Sequence, residues 1–392
     1  MGRRLRPGDD GFRGPPASCL GRLAIVTETT ADFRSSSADP ISADLQASIS
    51  ATLAAFIDDK QAQLASLGAD LAPLFGTARQ AVAGGKRLRP AFAYWGWRAA
   101  GGSSSDTSAI VTAAAAIELV HASALVHDDV MDGSATRRGR PAAQREFGAM
   151  LPEATSAPQA DRFGFSAAIL LGDLLLSWSD ELLGRSGFKP KRIARGRVYF
   201  DLLRCEVVSG QYLDVLAQAS GRSSAAAAMR VVRYKSAKYT VERPLQFGAA
   251  LAKADTSLLA ALSSYGVPLG EAFQLRDDVL GVFGESSVTG KPSGDDIREG
   301  KRTLLIARAF DKATGAQRDV LDATFGRPEL ASDGVAAVQT VLRDTGALAD
   351  VETVITELKS AALAALASAP VTDEGARLAL RSLADQATNR SV

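Results

Sequence analysis

The chain has 392 residues, 46% of them hydrophobic, enough to enclose a sizeable core in one large domain or two smaller ones. Its 45 lysines and arginines nearly cancel its 44 aspartates and glutamates, so no global field draws it to nucleic acid or an anionic membrane. The two cysteines, Cys19 and Cys205, have neither metal-ligand nor disulfide spacing; with no secretion signal, a reducing cytoplasm is the expected setting.

Residues 1–40 are rich in Arg, Gly, Pro and Ser without a sustained apolar period, and are expected to form a disordered extension. Translation from Val26 is a further expectation. Residues 41–392 read as one all-helical domain, opening with Leu45, Ile49, Leu53, Phe56 and Leu64 near the spacing of a single helix face. Polar breaks at 101–106, 151–164, 220–224 and 285–295 read as loops. The longest apolar run, Ser166 to Trp178, carries Asp173 and is short for a membrane span, so it reads as a core helix and no stable membrane insertion is expected. No regular run of alternating β-branched segments and no fixed repeat is found. The fold class is an all-α bundle.

Three stretches carry chemistry. The first, Gly84-Gly85-Lys86-Arg87-Leu88-Arg89-Pro90, allows an unusual turn at its glycines and then presents three cations, which can bind a diphosphate without metal. Pro90 suits the first turn of the next helix. The second runs from His121 to Pro141 and places Asp128, Asp129 and Asp132 in a D-D-x-x-D array. Helical spacing sets Asp128 and Asp132 on one face, about 6 Å apart along the axis. Two carboxylates so placed repel and want a cation between them. Sparse hard oxygen donors suit Mg²⁺, which completes its shell from water and substrate phosphate. Arg137, Arg138 and Arg140 then offer forked donors to the same phosphate. The preceding Ile110 to Val126 is apolar and buried in character, so a triple acid at its end needs a partner. Both histidines, His121 and His127, fall in this stretch.

The third stretch, Phe273 to Thr303, holds Asp277 and Asp278 on a helix, with Gly281 where a third acid would complete the array. A Gly/Ser/Pro loop with Lys291 follows, then Asp295, Asp296, Lys301 and Arg302, a candidate lid. Lys235, in VVRYKSAKYT, is a further cationic candidate. The pattern suggests two acidic helices facing across a cavity, with magnesium holding a diphosphate between them.

Taken together, GGKRLRP, DDVMD with RRGRP, ILLGDLLLS, GQYLD, and FQLRDDVLG with GKPSGDDIREGKRT resemble the trans-polyprenyl diphosphate synthases, from about residue 45 to the C-terminus. The resemblance implies antiparallel helices around a deep central cavity, usually in a homodimer, with three Mg²⁺ ions to a site. It implies Asp128 and Asp132 as metal ligands with Asp129 in support, and Asp277 as a ligand beside Asp278. Lys86, Arg89, His121 and Arg138 resemble the isopentenyl diphosphate pocket. Arg137, Lys235, Ser236, Gln274, Lys291 and Lys301 resemble the ring around the allylic diphosphate. Catalysis is expected to rest on Asp128, Asp132, Arg137, Lys235 and Asp277. Many relatives have Asp where this chain has Gly281, so the second motif lacks its third carboxylate.

Relatives that stop at fifteen carbons commonly place an aromatic four or five residues before the first Asp. Here those positions are Ala124 and Ser123, so the floor looks open, with Val120 and Ile117 further down as limits. Geranylgeranyl diphosphate is the expected product; farnesyl or longer chains are the alternative. A class I terpene cyclase is less favoured, because no second metal motif with Asn/Asp, Ser/Thr and Glu is found. A minor-groove hook at RRGRP is disfavoured by the near-zero net charge, and no nucleic-acid partner is expected. A catalytically weak partner subunit is the remaining alternative.

Overall fold

The computed structural model describes residues 39–221, 224–284 and 293–389. Nearly all of the expected N-terminal extension, and Lys291, lie outside the described residues.

The first helix, α1 (Ala43–Gln63), starts where the Ser42 hydroxyl accepts from the Leu45 N–H at 3.2 Å, and buries Leu45, Ile49, Leu53 and Phe56. α2 (Ala72–Val82) and α3 (Leu88–Ala99) lead to α4 (Thr107–Asp132), whose Ile110–Val126 portion is the buried centre of the molecule. A two-residue turn at Arg138 and Gly139, both at positive φ, closes a short antiparallel ribbon pairing Thr136–Arg137 with Arg140–Pro141. Two positive φ values suit the twist of a tight hairpin. Helix α5 (Ala143–Ala149) follows, then α6 (Ala157–Gly184) and α7 (Pro190–Ser220).

Helix α6 corrects two expectations. It begins at Ala157, inside the stretch read as a loop, because Pro158 falls in its first turn, where the missing N–H is not needed. Nor is it wholly a core helix: Leu171 and Leu175 are buried, but Ile169 is 45% and Leu170 65% exposed. Helices α4 and α6 are both long and apolar enough to cross a membrane; α4 is mostly enclosed by the fold and α6 is not.

After α8 (Ala225–Val231) the chain enters an eleven-residue π-helical segment, Val232–Glu242, before α9 (Arg243–Leu251) and α10 (Thr256–Phe283). Long π segments are rare and concentrate at functional sites. This one is tied by Lys238 to Glu206 at 3.2 Å and to Glu242 at 3.1 Å, while Arg243 donates to Glu206 at 2.7 Å. Neighbouring helices run antiparallel. The start of α4 and the end of α6 meet at Ala109 and Gly187, and α10 passes the π segment with Gly270 at Ala237 and Gly266 at Glu242. Helices α3 and α9 interlock through Gly96 and Gly248: a Cβ at Gly248 would lie 1.8 Å from the Ala93 carbonyl oxygen. Next, α11 (Asp295–Arg298), α12 (Leu304–Lys312), α13 (Ala316–Thr324), α14 (Ser332–Asp344) and α15 (Ala347–Ser368) enclose a second apolar core against α10, and α16 (Glu374–Thr388) packs on α3, α10 and α15. The all-α bundle expected from the sequence is the fold observed.

Candidate active site

A cavity of about 1090 Å³ opens among α4, α7, the π segment and α10. Asp128 faces it from the last turn of α4. Its carboxylate accepts from Gln211 of α7 at 2.9 Å and from Lys235 of the π segment at 3.3 Å, with Arg137 at 3.5 Å. Burial works to raise Asp128, but Lys235 and Arg137 outweigh it and hold the carboxyl below its usual range. Lys235 is itself oriented by Asp214 at 2.6 Å.

Asp129 points the other way. It is buried, does not line the cavity, and is clasped in a fork by Arg137. The supporting place expected for Asp129 thus takes the form of a carboxylate that accepts from Arg137 Nε and Nη2 and faces away from the cavity. Asp132 lies one turn on, outside the cavity wall and partly exposed. Burial first, then the Asp128 charge, push its carboxyl up to about 6.

The facing wall comes from α10. Asp277, Asp278 and Gln274 all line the cavity, and Gln274 donates to Asp278 at 2.7 Å. Burial raises Asp278 to about 7. The absent acid at Gly281 has a structural counterpart. A Cβ there would lie 2.0 Å from Asp296 Oδ2, so a carboxylate from α11 occupies the space that a side chain at 281 would need. Asp296 pairs with Lys301 at 3.2 Å, and Lys301 also reaches Glu299 at 2.8 Å. Ser236 lines the cavity beside Lys235.

The GGKRLRP turn divides its cations between two tasks. Lys86 is exposed and, like Arg89, lines the cavity. Arg87 does neither: it is buried, pairs with Glu118 at 2.7 Å and donates to the Val82 carbonyl at 2.7 Å. Arg138 stands outside the main cavity but lines a smaller one with Lys86, Arg89 and His121. His121 accepts or donates at Nδ1 to the Tyr239 hydroxyl, 2.9 Å away, and Arg89 stacks 4.4 Å above the Tyr239 ring. Burial and then the cations Arg89 and Arg138 hold His121 well below its ordinary range.

Below the acids the walls become largely apolar, lined by Val120, Ala124, Leu176 and Val207, with Ser123 and Arg204 among them. Ile117, expected further down the same face, is packed in the core and does not reach the chamber.

Sequence reasoning missed the roles of Gln211, Asp214, Tyr239 and Asp296. The first two sit three apart in the GQYLD stretch, so their common helix face was the available signal. Among the described residues, no group of three or more His, Cys, Asp or Glu side chains gathers tightly enough to hold a metal by itself. The carboxylates of Asp128 and Asp277 on the cavity wall, with Asp132 one turn beyond Asp128, are nonetheless hard oxygen donors. They fit a Mg²⁺ ion that takes further ligands from a phosphate.

Residues 73–342 match the polyprenyl synthetase family. The chain is 33% identical over 276 residues to a geranylgeranyl diphosphate synthase of Methanosarcina mazei, covering 70% of this chain and 77% of that one. It is 32% identical over 269 residues to a geranylfarnesyl diphosphate synthase of Aeropyrum pernix, covering 68% and 78%. The fold is similar to a crystal structure of a Corynebacterium glutamicum geranylgeranyl pyrophosphate synthase complexed with isoprenyl diphosphate and magnesium. The TM-score is 0.85 at 38% identity, over 89% of this chain and 99% of that one.

Proposed function

This chain belongs to the polyprenyl synthetase family, and on that premise we propose that it is a Mg²⁺-dependent geranylgeranyl diphosphate synthase. It is a prenyltransferase making polyprenyl diphosphates from small-molecule isoprenyl diphosphates. The proposal includes Mg²⁺ dependence, a twenty-carbon product, a homodimeric assembly and a cytoplasmic setting.

The residues divide the work by position. Asp128, Asp132 and Asp277, backed by Asp278, would hold Mg²⁺. Bound there, the metal withdraws negative charge from a diphosphate leaving group. Lys235, Lys301 and Arg137 surround the same place with fixed positive charge and stabilise the departing diphosphate. Ser236 and Gln274 border it as polar contacts. Lys86, Arg89 and His121, with Arg138 behind them, form a second, predominantly cationic pocket, whose one acid, Glu118, is paired with Arg87; it is suited to isopentenyl diphosphate. The two pockets share Lys86, Arg89 and His121, so the double bond of one substrate can attack the allylic carbon of the other. A proton then leaves the product, with the freed diphosphate as its acceptor. The apolar chamber keeps water from the allylic cation.

The observation that carries the product assignment is the chamber below Asp128, where Ser123 and Ala124 leave the wall open. Replacing Ala124 by Phe puts a ring across that opening. Product sizing by mass spectrometry is expected to show Ala124→Phe shifting the major product from twenty carbons to fifteen or fewer. The same product distribution from parent and variant would remove the basis of this assignment.

A further inference from the structure

Helices α6 and α7 stand apart beside the tail chamber, yet a cluster of charged side chains bridges them. Arg197 of α7 donates to Asp180 of α6 at 2.6 Å, and Arg204 reaches the same carboxylate oxygen at 3.4 Å. Arg204 also donates to Asp201 on its own helix, and its guanidinium lies 4.8 Å above the ring of buried Phe200. It is therefore held from three sides.

Arg204 lines the chamber, and so does Leu176, one turn before Asp180 on α6. Its depth is fixed by Gln211, which meets Asp128 and lies seven residues further along α7, about 10 Å by helical rise. No lining residue of α7 lies further from the acids than Arg204. Nearer the acids the α7 side is open: Val208 and Tyr212 line the chamber and are still 63% and 67% exposed.

This inference rests on the chain being an elongating synthase. We propose that the Asp180–Arg204 pair, stretched between α6 and α7 at the base of the chamber, is the specificity-determining stop that sets product length. A methyl-branched tail growing past Ala124 and Val207 meets a fixed guanidinium instead of another apolar wall. To go further it must part the two charges or strip water from them, and hydrocarbon offers neither charge a substitute partner. An apolar floor can yield by a change of rotamer, whereas Arg204 is anchored by two carboxylates and a ring. The hydrogen bond from Arg197 holds Asp180 below the usual carboxylate range, so the pair stays charged at neutral pH. Both members are partly exposed and contribute little to stability, so removing them leaves the fold intact.

The test compares the parent with Arg204→Leu, with Arg204→Gln, which keeps the stem over Phe200 and drops the charge, and with the double variant Asp180→Leu/Arg204→Leu. Each is incubated with Mg²⁺, isopentenyl diphosphate and the fifteen-carbon allylic diphosphate, and the dephosphorylated products are sized by mass spectrometry. The expected result is a major product at least one isoprene unit longer in all three variants. Parental product length in variants that still elongate would overturn the proposal. So would loss of elongation in all three, because it would give Arg204 a role at the diphosphates. A parent that does not elongate at all would instead sink the synthase reading.

Discussion

The hydroxyl of Tyr239 lies 2.9 Å from Nδ1 of His121, and burial raises the phenol's pKa, keeping it protonated. A protonated hydroxyl can donate or accept, and we expect it to donate to Nδ1, leaving the imidazole's own proton on Nε2. Burial and the cations Arg89 and Arg138 keep the ring from taking up a second proton. With only two histidines in the chain, ¹⁵N NMR can follow each one. His121 is expected to show a protonated Nε2 and an unprotonated Nδ1, with no titration between about pH 5 and 8. A midpoint near the ordinary value, about 6.5, would contradict this environment. At this scale the sequence was informative wherever local geometry decides. The four-residue separation of Asp128 and Asp132 implies a shared helix face whatever the tertiary fold. It could not show that Asp129, between them, turns inward to Arg137. Nor could it show that Asp296 fills the space at Gly281, because that contact depends on how α11 folds back on α10.

At the scale of elements, Arg87 carries a role that its motif conceals. Among three cations in GGKRLRP it looks like another phosphate ligand, yet it joins three helices. It takes the Ser50 hydroxyl of α1 at 3.2 Å, the Val82 carbonyl of α2, and Glu118 of α4. Arg87 and Glu118 are 4% and 5% exposed, so losing one partner leaves an uncompensated buried charge. Arg87→Ala is expected to destabilise the protein by roughly 3–5 kcal/mol in denaturant unfolding. The paired change Arg87→Met/Glu118→Leu is expected to recover most of that loss. A loss below about 1 kcal/mol in Arg87→Ala would show that water reaches the pair. Periodicity likewise located the helices but misplaced the start of α6, since a proline among polar residues signals a break and a first turn equally well. The π segment was not legible, because its residues have no helical period that sets it apart from an α-helix, and its ion pairs join Lys238 and Arg243 to Glu206 on a different helix.

For the whole molecule, α6 and α7 present an apolar face, with Ile169 and Leu170 on one and Val198, Val208 and Tyr212 on the other. An exposed patch of this kind suits a second copy of the chain. Sedimentation equilibrium is expected to give twice the chain mass, and Leu170→Asp/Val208→Asp to shift it towards the single-chain value. A parent that sediments as one chain at micromolar concentration would refute the homodimer. The fold class and the meeting of two acidic walls across a cavity were legible from motif order, while the chamber's side opening was not, because it depends on how far apart the consecutive helices α6 and α7 stand in the fold. The central claim is that this cavity joins isopentenyl diphosphate to an allylic diphosphate and stops at twenty carbons. The measurement that tests it most directly is incubation of the parent protein with isopentenyl diphosphate and the fifteen-carbon allylic diphosphate, with Mg²⁺ or with EDTA. A twenty-carbon alcohol after dephosphorylation, formed with Mg²⁺ and lost with EDTA, is the expected result. No elongation, or a main product of any other length, would contradict it.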